Sequence, residues 1–258
     1  PLMTKTPHPR AIEAATKYFL IQAAASATIL FSSTINAWLT GEWAINNLSH
    51  PAANLALTLA LAMKLGLAPV HFWLPEVLQG LTLQTGLILS TWQKLAPMAL
   101  LIQLADTTNL ILLMTIGITS TLLGGWGGIN QTQLRKIMAF SSIAHIGWMV
   151  TVLKFAPNIS LLNLLIYLIM TTAMFTTIIS LATKKISDLA TAWPKTPALT
   201  ALSMLTLLSL GGLPPLSGFM PKWLIAQELI KQNLTAFATL ILLSTLLSLF
   251  FYLRLAYI

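Results

Sequence analysis

Cysteine is absent from the 258-residue sequence, and charged residues are scarce. Without cysteine, the chain has no disulfide, no thiolate metal site and no cysteine-ligated iron–sulfur cluster. Only 8% of the residues are charged, whereas soluble domains carry roughly 25%. No Gly-x-Gly-x-x-Gly motif or phosphate-binding loop occurs. We therefore expect no bound cofactor, no metal site and no catalytic residue of a redox enzyme in this chain.

Long apolar stretches dominate what is present, since 56% of the residues are hydrophobic. About 20 apolar residues cross a bilayer core of about 30 Å as a helix. The pattern predicts one all-helical, polytopic transmembrane domain over 1–258. Its eight predicted spans are 11–39, 53–81, 84–104, 107–127, 132–153, 159–182, 197–230 and 234–256. Because the sequence starts at Pro1 without methionine and stops directly after an apolar stretch, we expect an internal piece of a longer membrane protein, with helices missing before residue 1 and after residue 258.

The net charge of +8 reflects membrane topology, because no basic run with interleaved aromatic residues suggests nucleic-acid binding. Only Lys154 and Lys231 fall on one side of the eight spans. Nine lysine and arginine residues fall on the other: Lys5, Arg10, Lys17, Arg135, Lys136, Lys184, Lys185, Lys195 and Arg254. The positive-inside rule places this side, with the N-terminal residue, in the cytoplasm or the mitochondrial matrix.

The spans 53–81 and 197–230 are unusually long and are interrupted alike. Prolines mark the interruptions: Pro69 and Pro75 in the first span, and Pro214, Pro215 and Pro221 in the second. Proline removes a backbone donor and breaks or kinks a helix. Paired broken helices in corresponding halves are typical of transporters built from inverted repeats, with the ion path at the breaks. Five helix steps separate the two spans, and an odd number of steps reverses the direction through the membrane.

Ionisable residues near the membrane midplane are the candidate functional residues. Lys64, Lys94 and Lys222 lie in apolar stretches, where a charge costs about 2.5–3.5 kcal/mol on insertion scales. His145 reaches a similar depth, and His71 lies in the first interruption. We predict that these five residues form a lateral proton pathway, with Lys94 on an unbroken span. For His145 the alternative is a hydrogen-bonded core residue, and for His71 a cap on freed carbonyl groups.

Other polar and small residues receive structural interpretations. Ser141 and Ser142 could hold waters beside His145. Glu13 and Lys17 are expected to pair across one helical turn. The glycine-rich stretch from 124 to 130 is predicted to form a turn between spans.

Four stretches of the chain, 64–76, 91–97, 134–145 and 211–219, resemble the chain 2 family of NADH-ubiquinone oxidoreductase. These proteins are antiporter-like membrane subunits of respiratory complex I, encoded in vertebrate mitochondria. The resemblance covers the entire chain and implies two inverted five-helix repeats, each with a discontinuous helix. It implies that Lys64 and Lys222 are the lysines of the two broken helices and that Lys94 connects them. The glutamate that pairs with the first lysine in this family would precede Pro1.

The resemblance also implies a function. We expect a translocase subunit of the complex I membrane arm, in the mitochondrial inner membrane, that moves protons while quinone is reduced elsewhere. NADH, FMN, iron–sulfur clusters and ubiquinone would be bound by other subunits. The expected partners are neighbouring antiporter-like, small hydrophobic and accessory subunits, together with lipids such as cardiolipin. The alternatives are a free-standing cation/proton antiporter and a non-conducting scaffold subunit.

Overall fold

The structure is a computed structural model that describes residue 3, residues 8–45 and residues 48–257. Within these ranges there is no β-strand, only an isolated antiparallel bridge between Gln133 and Lys185. The helices are α1 (Pro9–Thr40), α2 (Pro51–Leu65), α3 (Trp73–Gly80), α4 (Leu83–Ser90), α5 (Trp92–Gln103), α6 (Leu110–Ile129), α7 (Leu134–Val152), α8 (Pro157–Ser180), α9 (Ile186–Ala190), α10 (Pro197–Gly211), α11 (Phe219–Lys231) and α12 (Thr235–Tyr257). The predicted all-helical fold is confirmed.

The helices follow the predicted spans closely. Helices α1, α6, α8 and α12 are each long and apolar enough to cross a membrane without interruption. The pairs α2–α3 and α10–α11 replace the two spans predicted to be broken, and α7 occupies the fifth span. The protein is therefore a polytopic helical membrane protein. Pro1 and Lys5 lie outside the described residues.

Proline and glycine set many of the helix ends. Pro9, Pro51, Pro157 and Pro197 each occupy the first position of a helix. The missing N–H of proline costs nothing at this position, because the first N–H groups of a helix have no intrahelical partner. At the other end, α1 stops at Gly41, whose φ of 75° is the left-handed conformation that glycine adopts most readily.

The third predicted span, 84–104, is not continuous, so the prediction of an unbroken helix around Lys94 was wrong. Helix α4 ends at Ser90, and Thr91 has φ −112° and ψ −71° before α5 begins. The Ser90 and Thr91 hydroxyls both donate to the carbonyl of Leu87, at 3.0 and 2.7 Å. Such local bonds compete with the regular helical pattern. Lys94 therefore lies one turn after an interruption, as the other two lysines lie next to theirs.

Helix α7 forms the centre of the molecule, with 16 of its 19 residues buried. Helices α3, α6, α8, α11 and α12 all pack against it. This arrangement places His145, near the middle of α7, where several helices meet.

The glycine-rich stretch does not form the predicted turn, because Gly124 to Gly128 are helical residues of α6. A Cβ atom on Gly124 would lie 2.8 Å from the backbone nitrogen of Ala144, and one on Gly128 would lie 2.7 Å from the ring of Phe251. Small residues allow membrane helices to approach this closely. The glycines therefore bring α6 against α7 and α12.

At the basic end of the bundle, α1 is joined to α3 by charge. The Lys17 ammonium lies 2.6 Å from Glu13 and 2.6 Å from Glu76. The predicted pairing of Glu13 with Lys17 is confirmed, and Glu76 contributes a second carboxylate. These side chains are largely exposed, so solvent screens the pairs and their contribution to stability is small.

Helix α9 is a short element between α8 and α10 that the sequence did not predict. Asp188 accepts hydrogen bonds from the backbone N–H groups of Lys184 and Lys185, at 3.1 and 3.0 Å. Because these bonds favour the carboxylate, they lower the pKa of Asp188. Asp188 thus fixes the turn that leads out of α8 on the basic side.

Candidate functional site

The first break, residues 66–72, begins with a regular helix stop at Gly66. Gly66 has φ 73°; its N–H donates to the carbonyl of Met63 at 3.1 Å, while Leu67 N–H donates to Ala62 at 2.9 Å. This is the Schellman arrangement, which satisfies two carbonyl groups of the last helical turn. Beyond it, the backbone N–H of Ala68 donates to the hydroxyl of Ser120 at 3.0 Å. A polar side chain of α6 therefore satisfies backbone that the broken helix leaves free.

The second break, residues 212–218, repeats this geometry. Gly212 has φ 81°; its N–H donates to Ser209 at 2.9 Å, and Leu213 N–H donates to Leu208 at 3.3 Å. The Ala68–Pro69 and Pro214–Pro215 bonds, which occupy matching positions, are both cis. Pro75 and Pro221 each take the third position of the helix that follows the break.

Each helix stop leaves its final carbonyl groups free, and a lysine binds them. The Lys94 ammonium donates to the carbonyl of Leu65, the last residue of α2. The Lys222 ammonium donates to Gly211, the last residue of α10, at 2.9 Å and to Leu210 at 3.5 Å. Leu65 and Gly211 occupy equivalent positions immediately before the two glycines. A cation at a helix C-terminus also complements the partial negative charge of the helix dipole.

Lys94 is the most deeply buried of the three lysines, at 1% exposure. Its ammonium lies 5.8 Å from the centroid of the Trp73 ring, within the range of cation–π attraction. Four residues earlier, the free carbonyl of Ser90 accepts a hydrogen bond from the Tyr167 hydroxyl at 3.1 Å. Tyr167 thus donates to the residue just before the α4–α5 interruption, and Lys94 lies one turn after it.

Lys64 lies in the last turn of α2 and is half-buried. Within residues 8–45 and 48–257 it takes part in none of the ion pairs. The next residue in the sequence, Leu65, accepts a hydrogen bond from Lys94 at its backbone carbonyl. The structure therefore places Lys64 beside Lys94 along the chain but does not join the two side chains.

The structure brings His145 and Lys222 together. Both line one small cavity between α6, α7, α11 and α12, together with Thr121, Trp148 and Tyr252. The cavity is small, about 10 Å³, which is at the lower limit of the space that one water needs. The carbonyl of Leu210, which accepts from Lys222, also faces the imidazole. The two side chains therefore border the same small space.

Two tyrosines that the sequence did not single out flank His145. The Tyr252 hydroxyl lies 3.5 Å from Nε2 of His145, and the Tyr167 ring centroid lies 5.6 Å from that of the imidazole. Ser141 is hydrogen-bonded to the Tyr252 hydroxyl, and its predicted role in holding water stays a prediction. The Ser142 hydroxyl donates to a carbonyl of its own helix. The only feature of the sequence that could have pointed to Tyr167 and Tyr252 is that a tyrosine in an apolar stretch needs a hydrogen-bond partner for its hydroxyl.

His71 lies apart from this group. It is 4% exposed, its ring lies against Phe72 with centroids 4.2 Å apart, and its Nδ1 has no hydrogen-bond partner among the residues that the structure describes. It lines a cavity of about 520 Å³ that is also bordered by Glu76, Gln131 and Lys136, near the basic end of the bundle. This cavity connects the first break with that end of the molecule.

No group of three or more histidine, aspartate or glutamate side chains is arranged to hold a metal ion in the described part of the chain. The side-chain groups that the structure brings together near the breaks are ammonium, imidazole and hydroxyl groups. All of these exchange protons.

Comparisons with known proteins agree on one family. Residues 2–248 match the family model described as "NADH:quinone oxidoreductase/Mrp antiporter, TM". The chain is 69% identical over 258 residues to NADH-ubiquinone oxidoreductase chain 2 of Xenopus laevis, covering all of this chain and 75% of that protein.

Two solved structures have the same fold. A chain of respiratory complex I from Thermus thermophilus with bound aureothin is 30% identical, with a TM-score of 0.89 over 99% of this chain and 61% of that one. A chain of the Mrp complex from Dietzia sp. is 20% identical, with a TM-score of 0.84 over 96% of this chain and 50% of that one. At that identity, the Mrp likeness concerns the fold alone.

Proposed function

Because the chain belongs to the NADH:quinone oxidoreductase/Mrp antiporter membrane family, we propose that it translocates protons as a membrane-arm subunit of respiratory complex I. The observation that supports this most directly is the placement of two lysines on the free carbonyl groups of two broken helices. An ammonium at this depth persists where it has a function. The carbonyl groups stabilise the charged form of each lysine. At Lys222, the shared cavity places His145 as the acceptor of the proton.

The proposed path runs laterally through the midplane. Lys222 exchanges a proton with His145 through their shared cavity. From His145 the path continues past Tyr167 and the α4–α5 interruption to Lys94, with Lys64 at the far end beside the first break. The cavity at His71 supplies a route from the basic side, since Glu76 and Lys136 border its outer part.

The proposed location is the mitochondrial inner membrane, with the basic end of the bundle on the matrix side, as the positive-inside rule requires. This end carries a cavity of about 460 Å³ bordered by His8, Arg10, Arg135 and Lys184. Several basic groups around one cavity suit anionic head groups. We assign this surface to membrane lipid, with cardiolipin as the candidate.

Neighbouring membrane-arm subunits are the proposed partners, and the second break indicates where they are needed. Pro214 and Pro215 are exposed, and Trp223 is 56% exposed nearby. Irregular backbone at membrane depth is tolerated only where protein or a water-filled cavity receives it. We therefore propose that another subunit covers this break. NADH, FMN, iron–sulfur clusters and ubiquinone are assigned to other subunits of the complex.

Lys222→Ala tests this function. In the assembled complex we expect proton pumping and coupled quinone reduction to fall by about 10-fold or more, because the partner of His145 is lost. Assembly should stay near normal, since removing a buried charge also removes its desolvation cost. Lys231→Ala is the matched control on the same helix, because its side chain is 68% exposed. Pumping would be recorded in liposomes, with NADH oxidation by an artificial acceptor as the measure of intact complex.

Two outcomes would contradict the proposal. Normal pumping by the assembled Lys222→Ala complex would remove Lys222 from the path and favour a scaffold role. Sodium-dependent proton exchange by the isolated chain would instead identify a free-standing antiporter.

A further inference from the structure

Tyr252 of α12 contacts two polar groups of α7 through its hydroxyl. The tyrosine is 1% exposed, its hydroxyl is bonded to Ser141, and the same hydroxyl lies 3.5 Å from Nε2 of His145. It also lines the cavity that His145 shares with Lys222. Ser141, Tyr252 and His145 therefore form a short chain of hydrogen-bonding groups that ends at the proposed proton carrier.

We infer that Tyr252 is a positioning residue for proton transfer at His145, which it serves by reversing the direction of this hydrogen-bond chain. When Nε2 is unprotonated it is an acceptor, so the Tyr252 hydroxyl donates to it and accepts from Ser141. When Nε2 carries a proton it is a donor, so the Tyr252 oxygen accepts from it and the hydroxyl donates to Ser141. Hydroxyl groups can do both, because each has one donor and two acceptor sites. Between the two states the hydroxyl turns from Nε2 to Ser141, which frees the lone pair of the nitrogen. The Lys222 ammonium then loses a proton and Nε2 gains it, so one N–H bond breaks and another forms. No covalent bond of the tyrosine changes.

The surroundings of His145 make this role specific. The titratable groups that face it from neighbouring helices are Lys222 of α11, Tyr252 of α12 and Tyr167 of α8. Helix α6 contributes Thr121, and α12 contributes Ser244, Thr245 and Ser248. The hydroxyls of these four residues donate to carbonyl groups of their own helices. Among the described residues, the cavity lining contains no carboxylate. The Tyr167 hydroxyl donates to the carbonyl of Ser90. Tyr252 is thus the group placed to hold Nε2 in both protonation states while the proton comes from, or goes to, Lys222.

The inference rests on the proposed proton-conducting function, and Tyr252→Phe tests it in the assembled complex. Phenylalanine keeps the ring packing against Phe251, whose centroid is 4.3 Å away, and removes only the hydroxyl. Loss of a hydrogen bond to a charged group corresponds to roughly a 10- to 100-fold change, so we expect kcat of coupled quinone reduction to fall about 10-fold. The KM for ubiquinone should not change. Tyr257→Phe is the matched control on the same helix, because Tyr257 is 86% exposed.

A double variant separates positioning from a merely structural role. If Tyr252 acts through His145, then adding Tyr252→Phe to a His145→Gln complex should cause no further loss of rate. A further loss of similar size in that background would overturn the inference. If Tyr252→Phe does not assemble, Ser141→Ala removes the other end of the same chain. It should lower kcat about 2- to 5-fold, as expected for a neutral hydrogen bond, again only when His145 is present.

The two proposals can fail separately. Normal turnover of Tyr252→Phe together with impaired Lys222→Ala would refute the role of Tyr252 and leave the proton path intact. Normal pumping by Lys222→Ala would refute the path itself. An equal loss in Tyr252→Phe and Tyr257→Phe would also refute the inference, since the exposed hydroxyl has no part in it.

Discussion

Replacing Lys94 by arginine separates a lysine that carries protons from one that supplies a fixed charge. Arginine retains the positive charge but does not release its proton, because guanidinium stays protonated throughout the accessible pH range. It can still donate to the carbonyl of Leu65 and lie over the ring of Trp73. If Lys94 relays protons, Lys94→Arg should therefore stop pumping about as completely as Lys94→Ala.

The contacts of Lys94 give the expected size of the effects. A hydrogen bond to a charged group is worth about 1.5–3 kcal/mol, and a desolvated cation–π contact adds about 2 kcal/mol. Alanine loses both but also relieves a desolvation penalty of several kcal/mol, so stability should change little. Arginine keeps both interactions, so assembly should again be near normal if the larger group fits. The effect of either change should fall on pumping, by at least about 10-fold, as expected when a positioned proton-transfer group is lost.

The assay is proton uptake by liposomes that contain the assembled complex, divided by NADH oxidation with an artificial acceptor. Lys231→Arg is the control for charge-conserving replacement, because Lys231 is exposed on the surface of α11. Full pumping by an assembled Lys94→Arg complex would refute the relay role. Lys94 would then be a fixed charge that holds the end of α2.

Two further predictions follow from the breaks and from the composition. Gly212→Ala should impair pumping, because a Cβ at this position would lie 2.8 Å from Nζ of Lys222. The control is Gly41→Ala, which should assemble and pump normally, because Gly41 has a similar φ of 75° but open space around it. Equal pumping by both variants would show that the position of Lys222 is not critical. The purified chain alone should bind no NADH and carry out no redox reaction, since it has no cysteine and no dinucleotide motif; flavin or iron–sulfur absorbance in stoichiometric amount would contradict this.

The broken helices were predictable because their signals are local. Pro69 and Pro215 each follow a glycine by three residues, and a proline inside an apolar stretch breaks or kinks the helix there. Buried lysines such as Lys94 and Lys222 are equally visible, because a charge within an apolar run is costly and therefore rare. The two breaks and their lysines could thus be found without a structure.

The remaining features depend on tertiary contacts. The interruption at Thr91 arises from hydroxyl groups that bond to Leu87, and serine and threonine do this without breaking most helices. The glycines from 124 to 128 indicated a turn, but their role is close packing against α7 and α12. Tyr252 lies 107 residues from His145 along the chain, so no sequence spacing could relate them.

The two helix stops have a consequence for how the proposed proton path would respond to an electric field. Helices α2 and α10 each end with the equivalent of about half a negative charge, at carbonyl groups that Lys94 and Lys222 bind. In the inverted arrangement that the five helix steps predict, these helices would enter from opposite faces of the membrane and their dipoles would oppose each other. A proton halfway across would meet half of the transmembrane potential towards either exit, or roughly 1 kcal/mol per 100 mV. The proposed path would then respond equally to a potential of either sign.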